Sequence, residues 1–194
     1  MFFELLIRFL ASCKLSVIAF SHKILTIPYS ILKNKSTLCP VENKYTTKNF
    51  KETQKLGKEL AKKILSMPPV SAAVVLGLQG ELGSGKTSFA QGFAKGLKIK
   101  EKILSPTFVI MKRFKIPANS KFENFYHIDC YRLKNEKDIL ELGFKKIILN
   151  PKNIVAVEWP ERIKGILPKN AILINFKFID ENKREIELIN YGTT

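Results

Sequence analysis

One segment of the sequence combines residue types and spacing that suit the binding of phosphate groups. The stretch GELGSGKT at 80–87 matches the pattern G-x-x-x-x-G-K-[ST]. Its glycines permit backbone angles that are closed to other residues, so successive N–H groups can point at phosphate oxygens. Lys86 supplies a point charge for the β- and γ-phosphates, and Thr87 offers a hydroxyl to Mg²⁺. The predicted contact residues of this phosphate loop are Gly80, Glu81, Leu82, Gly83, Ser84, Gly85, Lys86, Thr87 and, one position further on, Ser88.

The segments on either side of the loop favour this interpretation over a glycine-rich turn with an exposed lysine. Residues 72–79, AAVVLGLQ, form a short apolar run rich in β-branched side chains, which predicts a buried strand. A helical pattern runs from Lys86 to about Leu97. A strand, a phosphate loop and the N-terminus of a helix, in this order, form the setting in which the motif binds a nucleotide.

Two acidic residues are candidates to complete a magnesium site beside the loop. Glu158 lies at the carboxyl end of the apolar strand NIVAVEW, where ligand groups gather in an open α/β sheet. Asp129 lies in HIDCYRL, where strand alternation places His127, Asp129 and Tyr131 on one face. From spacing alone, each acid can equally be functional or an ordinary surface residue.

The rest of the pattern predicts an α/β protein. Thr47 or Asn49 can cap a helix whose apolar residues recur at helical spacing until Pro68 ends it. The other predicted elements are a hairpin formed by strands within 106–116 and 124–133, a helical stretch at 136–149 with a break near Gly143, a buried strand at 153–160, and a C-terminal hairpin of 171–179 with 184–190.

The first 45 residues differ in composition from the rest of the chain. They combine apolar stretches with scattered cations, and Glu4 is the one acid in the first 41 positions, a bias that fits an organelle-targeting presequence. A segment that packs on or tethers the domain, and a leader without a role, fit equally well. We therefore predict an N-terminal extension at 1–45 and one globular domain at 46–194.

Cysteine usage and hydropathy bear on the compartment. Cys13, Cys39 and Cys130 are widely spaced without a CxxC motif, which disfavours a disulfide framework or a zinc site and fits unpaired thiols in a reducing compartment. Arg8 and Lys14 interrupt the apolar start, so no apolar run reaches the roughly 18 residues of a membrane-spanning helix. We expect a cytoplasmic protein without a membrane partner, or one of an organelle matrix if the first 45 residues are a transit peptide.

The chain is strongly basic, with 33 Lys and Arg against 17 Asp and Glu and a formal net charge of +16. This balance suggests a polyanionic partner such as nucleic acid, an acidic membrane surface or a phosphate-rich ligand. Along the sequence the lysines are dispersed rather than clustered with aromatic residues, which is a weak footprint for nucleic-acid binding. A solvated basic surface accounts for most of them.

Several motifs in a fixed order resemble the TsaE family, the ATPase component of bacterial-type tRNA threonylcarbamoyladenosine synthesis. These motifs are GELGSGKT, SPTF, YHIDCYRL, VEWPE and GILP, and they cover the chain from about Phe50 to its end. The resemblance implies a P-loop NTPase-like three-layer fold with a central mixed sheet and a C-terminal β-hairpin. It also implies ATP and Mg²⁺ as cofactors.

The same resemblance implies roles for individual residues. Thr87 and Glu158 would hold Mg²⁺. Lys86, Asp129 and Glu158 would be the catalytic residues, with Asp129 important for hydrolysis.

Three further residues would contact the nucleotide. Thr107, in a switch-like loop, would sense the γ-phosphate. Trp159 is similar to a family tryptophan tied to activity, although a buried aromatic anchor after a strand is an equally good interpretation. Adenine would lie between the start of the first helix, near Asn49, and the C-terminal hairpin, near Arg184.

These expectations combine into one functional hypothesis. The chain would be a Mg²⁺-dependent ATPase, slow without its partners, that drives a conformational cycle of TsaD- and TsaB-type subunits. In the family, that complex transfers a threonylcarbamoyl group to the tRNA adenosine next to the anticodon, so contact with tRNA would be indirect. Two alternatives stay open, namely a P-loop small-molecule kinase and a basic RNA-binding module with a structural ATP.

Overall fold

The computed structural model describes residues 44–106 and 109–190 of the chain. Within these ranges no helix is long and apolar enough to cross a membrane. The described residues form, in chain order, β1 (Lys44–Thr47), α1 (Phe50–Ser66), β2 (Val74–Gly80), α2 (Lys86–Gly96), β3 (Met111–Lys115), β4 (Asn124–Asp129), α3 (Glu136–Glu141), α4 (Phe144–Leu149), β5 (Asn153–Glu158), a 3₁₀ helix (Pro160–Ile163), β6 (Ile172–Phe178) and β7 (Arg184–Asn190).

The seven strands of the described residues join one mixed sheet in the order β1-β7-β6-β2-β5-β4-β3. β2 lies at the centre and pairs in parallel with β5 and with β6, and β5 pairs in parallel with β4. Two antiparallel hairpins, β3–β4 and β6–β7, complete the sheet on either side. The predicted α/β class, the central mixed sheet and the C-terminal hairpin are confirmed.

Helices cover both faces of the sheet and produce the predicted three layers. Because side chains alternate along a strand, β2 sends Leu76 to one face and Val75 to the other. On the first face α1 and α2 pack over an apolar core that includes Phe89. On the second face α3, α4 and the 3₁₀ helix pack over a core that includes Ile139 and Phe144.

The N-terminus of α1 decides between the two predicted caps. Oδ1 of Asn49 accepts a hydrogen bond from the N–H of Glu52 at 3.0 Å, and the Glu52 carboxylate accepts one from the N–H of Lys48 at 2.8 Å. Asn49 is therefore the cap. Thr47 instead ends β1, where its hydroxyl lies 2.9 Å from the hydroxyl of Thr53.

The first described strand has no counterpart among the predicted elements. β1 pairs antiparallel with β7 and begins at Lys44, two residues before the expected domain start. Its sequence, KYTT, lacks the repeated alternation of apolar and polar residues that would indicate a strand. β1 is thus recognisable from its partner strand rather than from its own sequence.

The strands of the β3–β4 hairpin are shorter than the sequence suggests. Ile110 adopts a left-handed φ of 61° and donates its N–H to the carbonyl of Pro106 at 2.7 Å, so β3 starts only at Met111. β4 ends at Asp129. The expectation that Tyr131 shares a strand face with Asp129 was therefore wrong, because Tyr131 lies beyond the strand.

α1 and α2 approach closely because glycines line their contact. A Cβ atom at Gly92 of α2 would overlap the backbone of Gln54 in α1. A Cβ atom at Gly57 of α1 would overlap the carbonyl oxygen of Phe89 in α2. The two backbones therefore leave no room for a methyl group at either position.

We expect Gly92→Ala to lower the free energy of unfolding by about 1–3 kcal/mol, because the added methyl group forces α1 away from α2. Urea denaturation followed by circular dichroism measures this change. Lys63→Ala, at an exposed position of α1, is the control and should leave stability nearly unchanged. A Gly92→Ala protein as stable as the parent, or more stable through higher helix propensity, would contradict the close packing.

Candidate functional site

Three parallel strands end at one edge of the sheet, and each brings a candidate residue there. β2 ends at Gly80, β4 at Asp129 and β5 at Glu158. The register places Glu158 opposite Leu78 of β2 on one side and opposite Asp129 of β4 on the other. Both acids are buried. The two carboxylates that the sequence left undecided therefore lie side by side at the start of the phosphate loop.

The backbone of the loop turns sharply between β2 and α2. Gly83 and Gly85 have φ angles of 76° and 105°, in the region that favours glycine. A Cβ atom at Gly83 would meet no atom within 4 Å, so the loop is open at this point. No side chain caps α2, and its first N–H groups are therefore positioned for an anionic ligand.

Lys86 lies inside the loop with only 4% of its surface exposed. Its Nζ donates to the carbonyls of Gly80 at 2.6 Å and Glu81 at 2.8 Å, and it lies 4.2 Å from the centre of the Trp159 ring. Burial lowers the pKa of Lys86, and nearby carboxylates, Glu158 foremost, oppose this shift. The cation is held by carbonyls and an aromatic face, so an incoming anion would interact with it strongly.

Glu158 is the centre of a hydrogen-bond chain that joins three elements. The hydroxyl of Thr87 donates to Oε1 of Glu158 at 3.1 Å, and Nε2 of His127 lies 2.8 Å from the same oxygen. His127 is fully buried and stacks on Phe125, with 6.4 Å between the ring centres. Sequence reasoning missed this contact, because His127 and Glu158 are 31 positions apart and meet only through strand pairing.

Asp129 is held from two sides. Its Oδ2 accepts a hydrogen bond from the hydroxyl of Ser105 at 3.1 Å, and its Oδ1 accepts one from the N–H of Tyr131 at 2.9 Å. Ser105 thus connects Asp129 to the SPTF segment. Thr107 of that segment lies outside the described residues, so its expected contact with the γ-phosphate stays a prediction.

Trp159 lines the cleft and also packs against the apolar core on the second face of the sheet. It is partly exposed, adopts a left-handed φ of 61° and packs against Tyr131 with 5.1 Å between the ring centres. Opposite, Leu82 of the loop is 81% exposed. The cleft has a volume of about 400 Å³, and its lining includes Lys86, Thr87, Ser88, Asp129, Glu158 and Trp159.

Arg184 approaches the loop from the C-terminal hairpin. Its Nη2 donates to the carbonyl of Gly83 at 3.4 Å, and its guanidinium lies 4.7 Å from the centre of the Phe178 ring. Asn49 is engaged as the cap of α1. The structure therefore brings Arg184 to the phosphate loop, while the adenine contacts at Asn49 and Arg184 remain predictions.

The residues around the cleft suit a magnesium nucleotide. The open loop, the buried lysine and the helix N-terminus supply positive potential for phosphates. Among the described residues, no group of three or more His, Cys, Asp and Glu side chains is placed to hold a metal. One hydroxyl and one carboxylate suit Mg²⁺, which keeps several waters and takes other ligands from phosphates. Such an ion would bind together with the nucleotide.

A phosphate loop at the carboxyl end of the central strand of an α/β sheet defines the class, which is that of P-loop proteins. The family model described as "Threonylcarbamoyl adenosine biosynthesis protein TsaE" matches residues 47–186. This chain belongs to the TsaE family.

Individual relatives are similar over most of their length. A protein of Rickettsia felis named tRNA threonylcarbamoyladenosine biosynthesis protein TsaE is 39% identical over 142 residues, which cover 73% of this chain and 76% of the relative. The protein of the same name from Bacillus subtilis is 34% identical over 149 residues, 77% of this chain and 86% of the relative. The crystal structure of Bacillus subtilis YdiB matches with a TM-score of 0.60 and 30% identity, and covers 77% of this chain and 85% of that one. The similarity thus extends well beyond the phosphate loop.

Cys130 follows Asp129 and points into the apolar core on the second face of the sheet. Burial, with smaller effects from the charges of Asp129 and Glu161, raises the pKa of the Cys130 thiol to about 12. The thiol therefore stays protonated in the folded protein at neutral pH. Since the thiolate is the nucleophile, this cysteine is chemically protected.

We expect Cys130 to resist alkylation by iodoacetamide at about pH 8 in the folded protein and to react once the chain is denatured. Mass spectrometry of the Cys130 peptide measures its modification separately from that of Cys13 and Cys39. The guanidinium-denatured chain is the control for peptide recovery and reactivity. Rapid modification of Cys130 under native conditions would show that the thiol is not buried.

Proposed function

We propose that this chain is the ATP-hydrolysing component of the machinery that makes threonylcarbamoyladenosine in tRNA. Family membership supports the pathway, because the relatives carry that biosynthetic name. The observation that supports nucleotide hydrolysis is the meeting of Lys86, Thr87, Asp129 and Glu158 in one cleft. Phosphoryl transfer requires mainly positioning and charge neutralisation, and these side chains can supply both.

Each side chain has a role that follows from its place. Lys86 leaves its carbonyl partners and neutralises charge on the β- and γ-phosphates, which the loop N–H groups hold. Thr87 and Glu158 would hold Mg²⁺, which would supply positive charge beside the phosphate oxygens. Asp129, oriented by Ser105, positions the attacking water.

The output of hydrolysis is a change in the segment that follows Ser105. Ser105 donates a hydrogen bond to Asp129 and lies two positions before Thr107. The loss of the γ-phosphate can therefore change the conformation of this segment. Subunits of TsaD and TsaB type receive the change, and turnover is slow without them. The compartment, cytoplasm or organelle matrix, stays a prediction, because the segment that bears on it, residues 1–45, lies almost wholly outside the described residues.

We expect Lys86→Ala, Asp129→Ala and Glu158→Ala each to lower ATP turnover by about 100-fold or more, because each removes a preorganised charge or ligand from the site. Phosphate release in the presence of the partner subunits measures the rate. Lys145→Ala, at an exposed position of α4, is the matched control for a lost lysine and should turn over like the parent. Undiminished turnover in all three site variants would refute the proposal.

We expect His127 to position Glu158 for Mg²⁺. His127→Ala should raise the Mg²⁺ concentration for half-maximal ATP turnover by about 10–100-fold, with a smaller effect at saturating Mg²⁺, because the carboxylate loses its orienting donor.

The matched variant is His127→Gln, whose amide nitrogen can replace Nε2 and should restore part of the Mg²⁺ affinity. Thermal unfolding of both variants separates a loss of positioning from a loss of folding. If His127→Ala lowers stability and leaves the Mg²⁺ requirement unchanged, the histidine is only structural.

A further inference from the structure

Two helices on the first face of the sheet present a concentration of lysines to solvent. Ten lysines and three glutamates lie in two stretches of the chain. Residues 48–66 comprise α1 with its cap, and residues 95–102 comprise the end of α2 and the segment after it. In the sequence these lysines fall into two separate stretches and look dispersed. In the fold they lie on neighbouring elements, because α1 packs against α2.

Four of these lysines form a line along α1. They follow one another at intervals of four, three and four residues, which places them on one side of the helix. All four are exposed. At 1.5 Å of rise per residue the line is about 16 Å long, enough to face several phosphates of a nucleic-acid strand. The four are Lys51, Lys55, Lys58 and Lys62.

The end of α2 and the segment after it add two exposed lysines beside this line. Nζ of Lys95 donates to the side-chain oxygen of Gln54 on α1 at 3.0 Å. A Cβ atom at Gly96 would lie only 2.6 Å from the carbonyl oxygen of Lys58, so the end of α2 touches the middle of α1. Lys98 follows directly after α2 and is exposed. We call Lys51, Lys55, Lys58, Lys62, Lys95 and Lys98 together the basic surface.

The acids of α1 reduce this charge only slightly. Glu52 is engaged in the helix cap, where it accepts from the N–H of Lys48. Glu59 pairs with Lys62 at 2.9 Å. The hydrogen bond from Lys62 and the charges of Lys58 and Lys55 hold the pKa of Glu59 below its usual value. The surface therefore keeps a positive potential, because its six lysines outnumber the two glutamates of α1.

We propose that the basic surface binds the sugar-phosphate backbone of RNA, so that this chain contacts tRNA directly. The choice of tRNA rests on the proposed function, because the pathway acts on that RNA. Lysines at this spacing neutralise successive phosphates as point charges and release counterions. The contacts position RNA without reading its sequence.

Other polyanionic partners fit the surface less well. An interfacial helix must insert its apolar face into a bilayer, and the apolar face of α1, which includes Ala61 and Ile64, is buried in the core. Protein interfaces favour aromatic side chains and disfavour lysine at their centre. Among the described residues, none of the exposed large apolar side chains belongs to residues 51–66 or 95–98; Phe50 and Met67 lie at the two ends of α1.

The basic surface extends from the N-terminal part of α1 to the far end of α2. Thr53 of α1 lies close to Gly85 of the phosphate loop, so Lys51 and Lys55 are the lysines nearer to the cleft. α2 begins at the phosphate loop with Lys86, whereas Lys95 and Lys98 lie at its opposite end. Lys58 of α1 adjoins that same opposite end. None of the six lysines lines the cleft, so the basic surface and the cleft residues can be changed separately by mutation.

The test uses the full chain with three lysines replaced, Lys55→Gln, Lys58→Gln and Lys62→Gln together. Fluorescence anisotropy with a labelled, unmodified tRNA transcript measures the dissociation constant over a series of salt concentrations. We expect the dissociation constant to rise about tenfold or more, and the slope of log affinity against log salt to fall by about 2 in magnitude. Glutamine retains good helix propensity, and circular dichroism checks that α1 is intact.

The matched control removes the same charge from the other face of the sheet, by Lys137→Gln, Lys145→Gln and Lys146→Gln on α3 and α4. This variant should bind tRNA like the parent. If both triple variants lose tRNA affinity equally, the proposal is overturned, because binding then depends on the total charge of the protein rather than on this surface. Absence of salt-dependent tRNA binding by the parent chain, or equal affinity for phosphatidylserine vesicles, would also overturn it.

A parallel measurement separates this inference from the proposed function. ATP turnover with the partner subunits should be unchanged in the α1 triple variant. If that variant has normal ATP turnover and unchanged tRNA affinity, the proposal that the basic surface binds RNA is refuted, and the ATPase proposal is unaffected. Absent turnover in the parent chain would refute the ATPase proposal, while the tRNA measurement would still decide on the surface.

Discussion

The parallel pairing of β5 with β2 on one side and with β4 on the other is the constraint on which the site depends. It places Glu158 next to the end of β2, where the phosphate loop begins, and next to Asp129 at the end of β4. A slip of one residue in either register would turn these carboxylates to the opposite face of the sheet. The hydroxyl of Thr87 would then lose its carboxylate, and His127 would be left buried without its partner.

This pairing also explains how the protein tolerates so many polar groups in its interior. Lys86, His127, Asp129 and Glu158 are all buried, which is costly unless each has a partner. Backbone carbonyls hold the lysine, Ser105 holds Asp129, and the histidine and Thr87 hold Glu158. The donors and charges are thus gathered in one cleft before a ligand arrives.

The two faces of the sheet serve different purposes. On one face glycines let α1 and α2 touch, and this close packing carries lysines from two separate stretches onto one surface. On the other face short helices cover an apolar core in which the Cys130 thiol is protected from ionisation. The nucleotide cleft lies at the edge where both layers meet the strand ends. The cleft and the basic surface are therefore formed by different residues of one small domain.

The sequence by itself determined what depends on neighbouring residues. Short stretches of sequence were enough to predict the phosphate loop with its strand and helix, the hairpins and the family motifs. Their chemistry and periodicity depend only on residues close together in the chain. Tertiary structure decided the rest. Strand β1, the contact of His127 with Glu158 and the gathering of the α1 and α2 lysines each depend on chain segments that meet only in the fold. No local pattern can show such contacts, because strand pairing and helix packing create them.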